Sequence, residues 1–209
     1  TYFRSLPEVG LYSISLSLAM IISTLTLPLI GMLFPLTSKL DLNKKNEEIS
    51  KLFSLIYSNG IYIMAPFLLL FLTYPIEIID LLFGSSYIMA YIALMILAVG
   101  YFINVLSSFN FSFMSGLGMI IIRIKLMYFA AAVNLLLGLI LIPTMGIIGA
   151  SIGTTASVII MFLGSFFSLR KRLKPNINKK RIYRTILLNL FILVLVYLLK
   201  NSIQTNIFI

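Results

Sequence analysis

Arg123 and Lys125 are two cations set two residues apart, between the uncharged stretches 81–122 and 126–169. Cations so placed can hold a phosphate or another anion through charge-assisted hydrogen bonds. A second group is neutral: Asn59, Asn104, Ser107, Ser108, Asn110 and Asn134, with Tyr12, Tyr57 and Tyr62. Amides and hydroxyls bind polyols by hydrogen bonding, and tyrosine adds a flat apolar face. Glu77 and Asp80 form an acidic i,i+3 pair on a short helix expected after Pro75, able to face water or a cation. Each group also has an ordinary reading: topology signals and headgroup contacts for the cations, helix packing for Asn and Tyr, a solvated face for the acids. With no Cys and no His in the chain, disulfides, zinc sites and thiol or imidazole catalysis are excluded. No catalytic residue, metal site or cofactor is assigned.

These residues must be positioned by elements that live in lipid. The chain is 60% hydrophobic and 11% charged, too apolar for the surface of a water-soluble domain. Residues 9–38, 52–76, 81–122 and 126–169 carry no charge. About 20 apolar residues cross a bilayer core of about 30 Å, so the first two runs are one span each and the last two have room for two. Lipid admits only helices and closed barrels, and these runs are too long for barrel strands. The expected fold is all-α, a polytopic transmembrane helix bundle within one membrane domain, 1–209. Six spans are expected, at 11–36, 52–74, 86–111, 125–142, 147–169 and 183–203.

Breakers support this partition. Pro143-Thr-Met-Gly146 is expected to end the fourth span and reverse the chain, Gly116-Leu-Gly118 to end the third, and Gly84-Ser-Ser to precede it. Asp41 or Asn43 could cap a lead-in helix over 44–51, with Glu47 four residues from Lys51. Pro28 and Pro35 share a face of span one, and Pro66 lies within span two. Gly149 and Gly153, extended by Ala156 and Ser157, make a small-residue face on which a neighbouring helix can approach closely.

Charge sorts the loops. Those after spans one, three and five carry four, two and eight basic residues, whereas those after spans two and four carry none. The positive-inside rule puts loops 39–51, 116–125 and 170–184 in the cytosol and both ends outside, with Arg4 at the outer mouth. The net charge of +10 therefore reads as membrane topology and contact with anionic lipid, not as nucleic-acid binding. An outside start that opens on Thr1 without a signal peptide is expected of a piece of a longer transporter.

Three stretches carry a family resemblance. They are Val9-Gly-Leu-Tyr12 followed by Leu33-Phe-Pro35; Leu81-Leu-Phe-Gly84-Ser-Ser-Tyr87-Ile-Met-Ala90; and Asn134 through Leu-Ile-Pro143-Thr-Met-Gly146-Ile-Ile-Gly149-Ala150 to Thr154. In order and spacing they resemble the polysaccharide flippases of the MATE/MOP superfamily, of the O-antigen and teichoic-acid exporter type. The resemblance covers almost the whole chain and matches the C-terminal part of such proteins, from about the eighth helix to the thirteenth. It implies a transporter of two lobes, of which the N-terminal lobe is a partner of this segment. It also implies an isoprenoid-linked oligosaccharide as cargo, moved across the cytoplasmic membrane by alternating access. Membrane lipids would surround it, and a glycan polymerase or glycosyltransferases could work beside it. The substrate-facing candidates are then Arg123 and Lys125 for phosphate, with Asn59, Asn104, Asn110, Asn134, Tyr12 and Tyr57 for sugar.

Two alternatives share the architecture. A cation-coupled exporter of small molecules would want an acidic residue inside the spans. A non-transporting membrane assembly subunit would need no cavity. A membrane-embedded glycosyltransferase is disfavoured by the short, basic loops.

Overall fold

The computed structural model describes residues 6–38 and 46–173, with positions 183, 184, 187, 191 and 194 beyond them. Among the described residues there are seven α-helices, one short 3₁₀ helix and no strand. The helices are α1 (Leu6–Thr24), α2 (Leu27–Ser38), α3 (Asn46–Thr73), α4 (Pro75–Phe83), α5 (Tyr91–Gly116), α6 (Ile120–Met145) and α7 (Ile147–Leu173). The 3₁₀ turn Ser85–Ala90 leads into α5. Five segments are long and apolar enough to cross a membrane: Pro7–Thr24, Glu48–Thr73, Ser85–Gly116, Ile120–Met145 and Ile147–Arg172. The expected all-α polytopic bundle is what is found. Outside the described residues lie most of the expected sixth span (183–203), the cap candidates Asp41 and Asn43, Arg4, and 174–182 of the basic cluster.

The expected first span is two helices. A turn at Leu25 and Thr26 separates α1 from α2. Pro28 has no N–H to give Thr24, and its ring crowds that carbonyl, so the ladder cannot continue through it. Thr26 bridges the gap: its amide reaches Ser23 O at 3.1 Å and its hydroxyl donates to the same oxygen at 2.8 Å. At its other end α1 starts at Leu6, which brings Glu8 into its first turn. A carboxylate there answers the positive end of the helix dipole. The lead-in expected over 44–51 is continuous with span two, since α3 begins at Asn46.

Two other boundaries move for identifiable reasons. The fourth span was expected to begin at Lys125, but α6 begins at Ile120. Arg123 is tolerated inside it because its guanidinium donates to Ser115 Oγ at 2.6 Å and lies 5.4 Å from the Phe111 ring centre. Pro143 does not end α6, which runs on to Met145 and turns at Gly146. Beside this proline the Thr144 hydroxyl donates to Leu141 O at 3.1 Å, lending the ladder a hydrogen bond. Gly118, at φ 72°, ends α5: Met119 N reaches Met114 O at 2.7 Å and Gly118 N reaches Ser115 O at 3.2 Å. That pair of bonds is a Schellman motif, and its left-handed residue favours glycine.

Helix α5 touches every other element and forms the axis of the bundle. It presents Phe109 and Phe113 to α3, where Phe53 and Tyr57 stack at 4.4 Å between ring centres. Helix α6 is the opposite case. It packs chiefly on α7, and Ala130 is its one buried residue. The seam is close because Gly149 faces the α6 backbone: a Cβ there would stand 2.3 Å from the Leu141 carbonyl oxygen. The small-residue face read from the sequence is thus used within the chain, between α7 and α6. Gly149→Ala should therefore lower stability by roughly 1–3 kcal/mol, as overpacking does. Gly138→Ala, whose Cβ would meet nothing nearer than Ile142 Cδ1 at 3.5 Å, should be neutral. Unfolding of both variants in mixed micelles measures the difference.

Candidate functional site

Among the described residues, two clefts between the helices hold candidate residues. The first has a volume of about 480 Å³ and lies among α1, α6 and α7, lined by Tyr12, Asn134, Gly138, Ala150 and Thr154 with apolar neighbours. Tyr12 and Thr154 share a hydrogen bond of 3.2 Å between hydroxyls. The Asn134 amide lies over Gly153, its Oδ1 3.5 Å from where a Cβ would stand. Polar groups far apart in sequence thus meet in an otherwise apolar hollow, as ligand sites commonly arrange them.

The second cleft, of about 390 Å³, lies among α2, α5 and α6 and is lined by Phe34, Ser112, Ser115, Ile120, Arg123, Ile124 and Met127. Ser112 donates to Ile30 O at 3.2 Å across the α2–α5 contact. Arg123 is half-buried here, whereas Lys125 is exposed. Two residues along a helix is a turn of about 200°, so the two cations face nearly opposite ways. They cannot act on one phosphate as a pair.

A polar stripe runs along α5 from the second cleft. Tyr101, Asn104, Ser108, Ser112 and Ser115 are all half-buried on α5. At about 100° per residue they fall within one narrow face, and at 1.5 Å per residue they extend for about 21 Å. At one end stands Tyr101, on the helix that packs against α1. At the other end Ser115 receives the Arg123 hydrogen bond.

The remaining candidates fall elsewhere. Tyr57 and Asn110 are buried and bonded to each other: the Tyr57 hydroxyl donates to Asn110 Oδ1 and reaches Leu106 O at 3.3 Å. The Asn110 amide donates to Ser165 Oγ at 2.9 Å, and Ser165 donates to Phe162 O at 3.0 Å. This chain of bonds locks α3, α5 and α7 together and occupies both residues in packing. Asn59 on α3 is half-buried and lines neither cleft. Glu77 and Asp80 are exposed on α4, the short helix expected after Pro75. Sequence reasoning missed Thr154, Ser112 and Ser115 as site residues. For Ser112 and Ser115 the signal was the 3-4-4-3 spacing of polar residues from Tyr101 to Ser115.

The chain is 30% identical over 205 residues to a protein of Methanocaldococcus jannaschii that is named only as an uncharacterized membrane protein. The match takes in 98% of this chain and 40% of that protein, so the chain spans less than half its relative's length. No protein-family model matches the chain, and no solved structure does. Apolar helices of spanning length and a membrane-protein relative make this a multi-pass α-helical membrane protein.

The buried lock predicts a measurable coupling. Asn110→Ala should cost about 1–2 kcal/mol, in the upper range for interhelical hydrogen bonds in membranes. Combined with Tyr57→Phe the losses should be less than additive, because both variants break the same bond. Strict additivity in a double-mutant cycle would mean that the two side chains do not share it.

Proposed function

We propose that this chain is part of a flippase that moves isoprenoid-linked oligosaccharides across the cytoplasmic membrane by alternating access. No covalent chemistry is involved, and no cofactor. The observation that carries the reading is the polar stripe on α5, whose Ser112 and Ser115 line the second cleft. A sugar headgroup crossing the bilayer has to exchange water for hydroxyls and amides at every depth, because unpaired polar groups in lipid cost several kcal/mol each. Tyr101, Asn104, Ser108, Ser112 and Ser115 offer such groups over about 21 Å, roughly two-thirds of the hydrocarbon thickness. The Tyr12–Asn134–Thr154 cleft supplies a wider hollow with an aromatic face at one end. The exposed apolar surface of α6, including Tyr128, Leu135 and Ile140, gives the isoprenoid tail a lipid-like wall.

The same reading places loops 39–51, 116–125 and 170–184 in the cytosol, by their cations. It also calls for a second lobe facing this one. The motif resemblance supports it, as does a relative far longer than this chain. The α1–α2 break beside Pro28 and the prolines within α2 and α3 supply places for helices to bend between inward- and outward-open states.

The full-length protein should restore glycan export in a flippase-deficient strain that makes a matching lipid-linked glycan. Asn104→Leu with Ser108→Leu should lower that export about tenfold or more, the cost of one or two lost polar contacts, at unchanged membrane abundance. Absence of rescue across several glycan types, alongside intact drug efflux, would assign the chain to the small-molecule exporters instead. Absence of both activities would favour an assembly subunit.

A further inference from the structure

We infer that the cleft headed by Arg123 binds the phosphate of an anionic lipid. The guanidinium has two visible partners, the Ser115 hydroxyl at 2.6 Å and the Phe111 ring face at 5.4 Å. Neither is an anion, and among the described residues no carboxylate pairs with Arg123. Stacking on Phe111 fixes the plane of the group, and Ser115 fixes one edge. The free edge keeps parallel N–H donors of the kind that grip phosphate bidentately.

The surroundings raise the demand for an anion. Arg123 sits in the first turn of α6, which holds no acidic residue. The helix dipole is positive there, so it adds to the arginine charge instead of offsetting it. Arg123 lies about 5 Å along the axis from the start of the helix, deep enough for the charge to be partly desolvated. A half-buried cation near the helix end gains from an anionic partner.

The shape points to a lipid more than to a free ion. Ser112, Ser115 and Arg123 form the polar end of the cleft, and Phe34, Ile124 and Met127 form most of its apolar part. Those three apolar side chains are exposed, so an acyl or isoprenoid chain can lie along them while its phosphate meets the guanidinium. The shared chemistry is a lipid phosphate, and its source is either a bilayer phospholipid or a polyprenyl phosphate. This inference holds whether or not the protein moves a glycan, since it concerns equilibrium binding alone.

Native mass spectrometry of the full-length protein in neutral detergent tests it. Titrations would use phosphatidylglycerol, polyprenyl phosphate, phosphatidylcholine and inorganic phosphate. One anionic lipid should bind with an affinity that falls about tenfold in Arg123→Gln, the scale of a lost charge-assisted hydrogen bond. Lys125→Gln, on the other side of α6, should leave it unchanged. Met127→Glu keeps Arg123 but puts a negative charge at the cleft mouth, and should weaken binding to a similar degree. That variant guards against a fold defect in Arg123→Gln. Preference for phosphatidylglycerol assigns the site to bilayer lipid, and preference for polyprenyl phosphate assigns it to cargo. Equal retention by wild type and both cleft variants overturns the proposal. So does competition by inorganic phosphate as strong as that by either lipid.

Discussion

Asn110 cannot sit at the centre of a lipid-embedded bundle unless both ends of its amide are answered. Everything around it is arranged so that they are. The carbonyl end takes the Tyr57 hydroxyl from α3, and the amino end gives to Ser165 on α7. In water an asparagine could turn outward and find solvent. In lipid the cost of an unanswered amide keeps it turned in. One residue on the axial helix therefore sets the rotation of α5 against two neighbours at once. The Phe53, Tyr57, Phe109 and Phe113 rings pack round that lock, adding dispersion to a register that the hydrogen bonds define.

With that rotation set, the remaining faces of α5 are assigned by geometry. One turns to α7, where Thr155 donates to Ile96 O at 3.1 Å. Another packs on α1, whose Ser15 donates to Ala90 O at 2.9 Å in the 3₁₀ turn leading into α5. The face left over holds Tyr101, Asn104, Ser108, Ser112 and Ser115, and it looks into the gap between α1–α2 and α6. Helix α6 does not fill that gap because it is bound to α7 through a backbone-to-backbone seam at Gly149. The bundle thus has a well-packed half around Asn110 and an open half around the polar stripe. Among the candidate spans of the described residues α6 is the most exposed, with 6% of its window buried.

The spans could be read from sequence because lipid imposes a length rule that charge-free runs obey almost mechanically. The helix faces could not, because amphipathicity is a weak guide when both core and surroundings are apolar. Arg123 and Lys125 looked like a pair in the sequence, yet a helix turned them apart. Tyr57 and Asn110 looked like cavity residues and turned out to face each other. Tyr12 and Asn134 were chosen for their polarity alone, and the fold brings them to one cleft. The break at Leu25 and Thr26 was foreshadowed by Pro28, but whether a proline kinks a helix or divides it depends on nearby hydroxyls. Thr26 and Ser23 supply the bonds that make division tolerable.

The serines of the stripe carry a further physical consequence. Ser108 donates to Asn104 O at 2.9 Å and Ser115 to Phe111 O at 2.9 Å, so each hydroxyl hydrogen is spent within the helix. Their lone pairs remain turned toward the gap, as acceptors. Serines whose hydrogens are already bonded cost little in lipid at rest. They still offer partners to any group rich in hydroxyl hydrogens. Arg123 takes up one such acceptor, on Ser115, and so marks where the stripe changes from accepting to donating character. Carbohydrate hydroxyls suit the first part and phosphate oxygens suit the second. Under the proposed function, the α5 face and Arg123 of α6 together would meet both halves of an amphipathic, anionic headgroup.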